Sequence, residues 1–181
     1  MISKAIIRYS TALYQAAEQD KKLDIIAEDS INLIGLIKSS KDLHLFFISP
    51  VIKHEKKLKI VGTLFKEKIS QLSFEFIKLL IVHNREGMIL DILESFLDLK
   101  NDSEGKVKAS VKTAVQFDDS ETKKIKEKID GFTGKNSIAD FAEDKSLIGG
   151  FTIQVKDVVL DASIKRQLEN LRNRFKGINI K

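Results

Sequence analysis

The sequence predicts a mainly α protein, an N-terminal six-helix bundle followed by a small α+β C-terminal domain. Three observations predict it. Apolar residues recur at steps of three and four through the first hundred positions, the spacing of one helical face. The period switches to strict alternation just after Gly105. The chain holds a single proline, which suits long helices better than a loop-rich sandwich.

The helices follow in order. Ala5, Ile6, Tyr9, Ala12, Leu13 and Ala16 mark a first helix from Ser3 to Gln19, with Ser3 as its N-cap. Leu23–Ile37 repeats the pattern through Ile26, Ala27 and Ile34. A short helix over Lys41–Ile48 stops before Pro50, because the residue before proline avoids the helical region. Leu58, Val61, Phe65 and Ile69 carry a fourth helix from His54. Ser70 caps a fifth, to His83. Ile89, Ile92, Leu93, Phe96 and Leu97 make Met88–Lys100 the cleanest amphipathic segment. The fifth helix is apolar almost all round, from Phe74 to Val82. Such a helix is central in a bundle or carries a face for a partner.

Asn101–Gly105 is polar, small and glycine-ended, so the expected domains are 1–105 and 106–181. Val107 to Phe117 alternates with a lysine-rich outer face and predicts a half-buried strand. A helix capped at Asp119 or Ser120 follows, with Ile125, Ile129 and Phe132 as its buried stripe, and Gly131 and Gly134 around its end. Ser137–Phe141, Leu147–Val155 and Val158–Leu160 read as strands, with Lys156-Asp157 as a hairpin tip. A last helix is capped at Asp161 or Ser163. Its expected buried stripe is Ile164, Leu168, Leu171 and Phe175, and Lys165, Arg166, Arg172, Arg174 and Lys176 cover its outer face.

Composition narrows the chemistry. The 181 residues contain no cysteine, which excludes disulfides, thiolate metal sites and a cysteine nucleophile. No run reaches the roughly 18 apolar residues that a membrane helix needs. Met1-Ile2-Ser3-Lys4-Ala5 has neither the charge nor the apolar core of a leader. The net charge of +5 falls entirely in residues 106–181, since the first 105 residues balance. That asymmetry suits an acidic partner, a nucleic acid or an anionic surface.

No catalytic set emerges. His44, His54 and His83 have no histidine at i+4 and offer no metal-ligand spacing. No phosphate-binding loop is present. Gly149-Gly150 lies within a strand pattern and reads as a bulge or a close backbone approach. Gly131-Phe132-Thr133-Gly134 has the spacing of an RNA-clamping GxxG loop, but a strand follows it, so it reads as a helix end. Asp118-Asp119 and Asp140/Glu143/Asp144 lie where caps and turns account for them. Phe117, Phe132, Phe141 and Phe175 all sit in apolar patterns, which leaves few aromatics to stack on bases.

Four segments in order resemble one family. They are Arg8-Tyr9-Ser10-Thr11-Ala12-Leu13-Tyr14-Gln15-Ala16-Ala17, Asn84-Arg85 between two apolar helices, Ser146-Leu147-Ile148-Gly149-Gly150, and Asp161-Ala162-Ser163-Ile164 with Leu168 and Leu171. Together they are similar to the delta subunit of F-type ATP synthase, the oligomycin-sensitivity-conferring protein family. Ser10 and Ser49 depart from the family's commoner alanine and asparagine.

The resemblance implies a non-catalytic stator subunit without a cofactor. Its N-terminal bundle would grip the N-terminal helix of an alpha subunit of the catalytic head. Its C-terminal region would hold the b subunits of the peripheral stalk and resist rotor torque. Carried onto this chain, the alpha-binding groove falls on Tyr9, Ala12, Leu13, Phe76, Leu79, Leu80 and His83. The motif residues with an implied structural role are Arg8, Asn84, Arg85, Gly149, Gly150, Asp161 and Ser163. The implied location is the cytoplasmic face of a bacterial inner membrane, reached only through the complex and without nucleic acid. The alternative is a nucleic-acid-binding adaptor using the basic residues 106–181, and it rests on charge alone.

Overall fold

The computed structural model describes residues 3–115, 117–156 and 158–177. The chain divides into two compact units, Met1–Lys100 and Asn101–Lys181. It is mainly helical, with a small sheet of four strands near its C-terminus.

The first unit holds α1 (Lys4–Gln19), α2 (Leu23–Ser39), α3 (Lys41–Ile48), α4 (His54–Phe65) and α5 (Gln71–Val82). It also holds α6 (Ile89–Ser103), which runs on past Lys100. The caps explain the starts. The hydroxyls of Ser3, Ser40 and Ser70 accept from the amides of Ala5, Leu43 and Ser73, filling donors that a helix start leaves empty. α4 is shorter than its spacing suggests. It ends at Phe65, and Ile69 packs against the core from the turn beyond.

One hydrophobic cluster joins all six helices, with Leu13, Ile26, Phe47, Val61, Leu80 and Phe96 almost fully buried. α5 buries Phe74, Phe76, Ile77, Leu80 and Ile81 and leaves Leu79 and Val82 exposed. Its apolar circumference therefore resolves into a broad core face and one bare edge.

The second unit is a sheet of order β2-β1-β3-β4, built from β1 (Lys106–Thr113), β2 (Asn136–Glu143), β3 (Phe151–Val155) and β4 (Val158–Asp161). β1 pairs parallel with β2 and antiparallel with β3, and β4 pairs antiparallel with β3. The β1–β2 crossover is α7 (Asp119–Thr133), as a parallel pair requires. Ile125 and Ile129 of α7 pack on Ala109, Val111 and Ile153. The chain then enters α8 (Ile164–Gly177).

Several expectations are corrected here. β1 stops at Thr113 rather than Phe117; Val115 is exposed, and Phe117 turns in to meet Phe151 edge-on at 6.4 Å. The cap of α7 is Asp118, one residue earlier, because Glu121 completes a capping box with it. Leu147–Val155 is not one strand. A 3-10 turn occupies Lys145–Leu147, and β3 begins at Phe151. Phe132 is 70% exposed, and so are Ile164, Leu168, Leu171 and Phe175 to between 43% and 68%. These residues have helical spacing, but among the described residues no surface covers them. Phe141 is exposed as well, so the expected burial of the C-terminal aromatics fails for three of four. Gln116, Asp157 and the side chains of Arg174 and Lys176, read above as parts of a strand, a hairpin tip and a basic helix face, lie outside the described residues.

Candidate partner-binding surfaces

Asn84, Gly149, Gly150, Asp161 and Ser163 make local contacts that shape the backbone. Asn84 sits at φ 57, in the left-handed region that asparagine tolerates better than most residues. Its amide donates to the Ile81 carbonyl at 3.1 Å, and that of Arg85 to Leu80 at 2.8 Å. This is a Schellman closure of α5. His54 Nε2 lies 2.6 Å from Asn84 Oδ1, which ties the start of α4 to the end of α5. The Arg85 guanidinium reaches the Asn84 carbonyl at 3.5 Å and is otherwise exposed.

The next residue, Glu86, is buried and pairs with buried Lys57 at 2.7 Å. Lys57 also donates to the Phe47 carbonyl at 3.2 Å. Sequence reasoning missed this pair. A signal was present, since Lys57 precedes Val61 and Phe65 by four and eight residues and so shares their buried stripe. Asp29 was missed too. Its carboxylate accepts from the Ser70 amide at 2.9 Å and the Ser73 hydroxyl at 2.7 Å, fastening α2 to the start of α5. No local pattern announces that contact.

In the second unit Gly149-Gly150 lies before β3 rather than within a strand, and of its two expected readings, bulge or close backbone approach, it makes the close approach. Gly150 has φ +78, and a Cβ there would run into the Ala162 carbonyl oxygen. The Gly149 carbonyl accepts from the Ile164 amide at 2.9 Å, and the Phe151 carbonyl from Ala162 at 3.0 Å. Asp161 and Ser163 complete the joint. The Ser163 amide donates to Asp161 Oδ1 at 2.9 Å, and the Ser163 hydroxyl caps α8 by accepting from the Arg166 amide at 3.1 Å. Ser163 donation holds the Asp161 carboxyl below the usual range, and Ser146 does the same for Asp144. Lys135 and then Lys156 lower Asp102, at 2.8 and 2.9 Å.

The groove residues divide by exposure. Leu13, Phe76 and Leu80 face the core cluster, and Tyr9 packs half-buried against it. Ala12, Leu79 and His83 are exposed, as is Arg8 one turn before Ala12. Leu79, Val82 and His83 form one bare turn at the end of α5. A second apolar surface lies in the other unit, a groove of about 230 Å³ between α7 and the β3–β4 half of the sheet. Among the described residues no group of three or more His, Asp or Glu side chains is placed to hold a metal ion. Among the described residues no helix is long and apolar enough to cross a membrane.

The chain is similar to known proteins over most of its length. The sequence profile described as "ATP synthase delta (OSCP) subunit" matches residues 6–175. An ATP synthase subunit delta of Chloroherpeton thalassium is 34% identical over 92% of this chain and 91% of its own. That of Syntrophus aciditrophicus is 33% identical over 96% and 97%. A chain of the Toxoplasma gondii mitochondrial ATP synthase hexamer shares the fold, with a TM-score of 0.76 at 19% identity over 96% of this chain and 98% of that one. Nothing in these relatives supports the nucleic-acid alternative. The family match over residues 6–175 and the identity to these relatives agree with the ordered motifs: the chain belongs to the ATP synthase delta (OSCP) subunit family.

Proposed function

We propose that this protein, a non-catalytic stator subunit by family, joins the alpha/beta head of F-type ATP synthase to the b subunits of the peripheral stalk. On this reading the first unit takes the N-terminal helix of an alpha subunit against α1 and α5. The second unit takes the stalk. The complex stands at the cytoplasmic face of a bacterial inner membrane, and the subunit reaches the membrane only through it.

The observation that carries the reading is that each unit keeps an apolar surface bare. The exposed Leu79, Val82 and His83 and the small exposed Ala12 suit a helix laid into a groove, because a small side chain lets a second backbone approach closely. Leu13, Phe76 and Leu80 belong to the core cluster and fix α1 and α5 to it. A torque-bearing link needs tight grip at separate points and no turnover.

The test is binding of a peptide from the alpha N-terminus. Ala12→Trp, at an exposed position, is expected to leave the helical content unchanged and to weaken binding at least about tenfold. Unchanged affinity with an intact fold removes the groove. Purification of the synthase from membranes is expected to bring this chain with the head, and deletion of residues 1–20 to release it. Stalk binding is expected to weaken with salt, because the excess positive charge lies in residues 106–181.

A further inference from the structure

The bare end of α5 is followed at once by a segment that two other helices hold. Leu79 and Val82 are 42% and 58% exposed, and His83 is exposed beside them. Asn84 turns the chain away at φ 57, and a 3-10 turn over Glu86–Met88 follows. α4 reaches this segment twice, from residues one helical turn apart. His54 Nε2 donates to Asn84 Oδ1 at 2.6 Å, and Lys57 Nζ donates to Glu86 Oε1 at 2.7 Å. Lys57 also donates to the Phe47 carbonyl of α3. The two links differ in setting. Lys57 and Glu86 are buried and belong to the interior, whereas His54 and Asn84 are both exposed. An exposed hydrogen bond adds little to the stability of a whole bundle. Nor does the backbone need the Asn84 side chain. Its own amide closes the helix on the Ile81 carbonyl at 3.1 Å, and glycine would adopt the same positive φ without strain. The exposed bond instead fixes how the chain leaves α5, one residue beyond His83.

We propose that His54 and Asn84 are positioning residues for the partner surface at the end of α5. Their hydrogen bond holds the turn of Leu79, Val82 and His83 in the conformation that receives the alpha N-terminal helix. The proposal rests on the groove reading above and adds to it a residue of α4 that lies outside the groove. Helix ends fray, so a surface built on a last turn gains from a side-chain tie just beyond it. Apparent affinity falls with the fraction of molecules that hold the competent conformation. Loss of one net hydrogen bond shifts such an equilibrium by about three- to tenfold.

The experiment measures association and dissociation rates of the full chain with a synthetic peptide of the alpha N-terminus. His54→Ala and Asn84→Gly change exposed side chains, and circular dichroism checks that each variant is folded. Each is expected to slow association by about three- to tenfold and to leave dissociation within about twofold of wild type, because the bond acts on the free protein. Asn84→Asp keeps an acceptor and tolerates the positive φ, so it is expected to bind at the wild-type rates. The double variant His54→Ala/Asn84→Gly is expected to bind like either single one, since both remove the same bond. Effects that add in the double variant, or that fall on dissociation, mean that His54 touches the peptide itself and overturn the positioning role. Wild-type rates in both single variants overturn it too, and leave the groove standing where Ala12→Trp weakens binding. If the wild-type chain does not bind the peptide, the groove reading falls and this proposal with it.

Discussion

Lys57 and Glu86 are the residues on which the first unit has most to lose. Both are buried, and Glu86 Oε2 has no partner. Attraction in the interior offsets the desolvation of two charges only while both are present. Glu86→Ala is therefore expected to destabilise the protein by about 3–5 kcal/mol in urea unfolding, because it strands a buried ammonium group. The double change Lys57→Met/Glu86→Leu is expected to cost less than either single change. A Glu86→Ala loss below about 1 kcal/mol overturns this account. The pair also shows how much of a site can be read locally. The spacing of Lys57 to Val61 and Phe65 gives its burial, but not Glu86 as its partner, which lies 29 residues away. The same holds for Ala12. Its helical position follows from the 3/4 repeat, whereas its exposure beside buried Leu13 is settled by which neighbours α1 meets.

At the scale of elements, ends are more legible than coverings. Caps are local, so Ser3, Ser70 and Ser163 are readable from spacing, and so in principle is Asp118, because Glu121 stands three residues after it whereas Thr122 stands three after Asp119. The same local bonds make the second unit acid-sensitive. The carboxyls of Asp102, Asp118, Asp130, Asp144 and Asp161 are all held below their ordinary value of 3.8. The causes, in that order, are Lys135, the Glu121 amide, and donation from Ser137, Ser146 and Ser163, each of whose amides reaches the carboxylate. The folded state thus binds fewer protons than the unfolded one. The stability these carboxylates contribute is present above pH 3.8 and is lost as pH falls through the lowered folded values. Acid titration followed by amide NMR is expected to unfold α7 and the start of α8 in that window. A second unit whose stability does not change there refutes the assignment.

Over the whole molecule the two units differ in what holds them. The first has one cluster running through all six helices, from Ile6 to Leu97. The second rests on Ala109, Val111, Ile125, Ile129 and Ile153, with half-buried neighbours. Small cores are marginal, so calorimetry is expected to resolve two transitions, with the second unit melting first. On the function proposed above, adding a purified segment of a b subunit is expected to raise that first transition alone, by linkage. A single sharp transition would mean one cooperative body. The sequence by itself determined the family, the switch from helix to strand beyond Gly105, the helix starts and the Gly149-Gly150 approach. Each depends on residues near one another in the chain or on motifs kept in order. Only the tertiary structure decided which apolar stripes are covered. Ile125 and Ile129 are buried, yet Phe132 on the same helix and the stripe of α8 are bare. Periodicity places side chains on a face, but burial needs a second surface from elsewhere in the chain or from a partner, and no local spacing records whether one arrives.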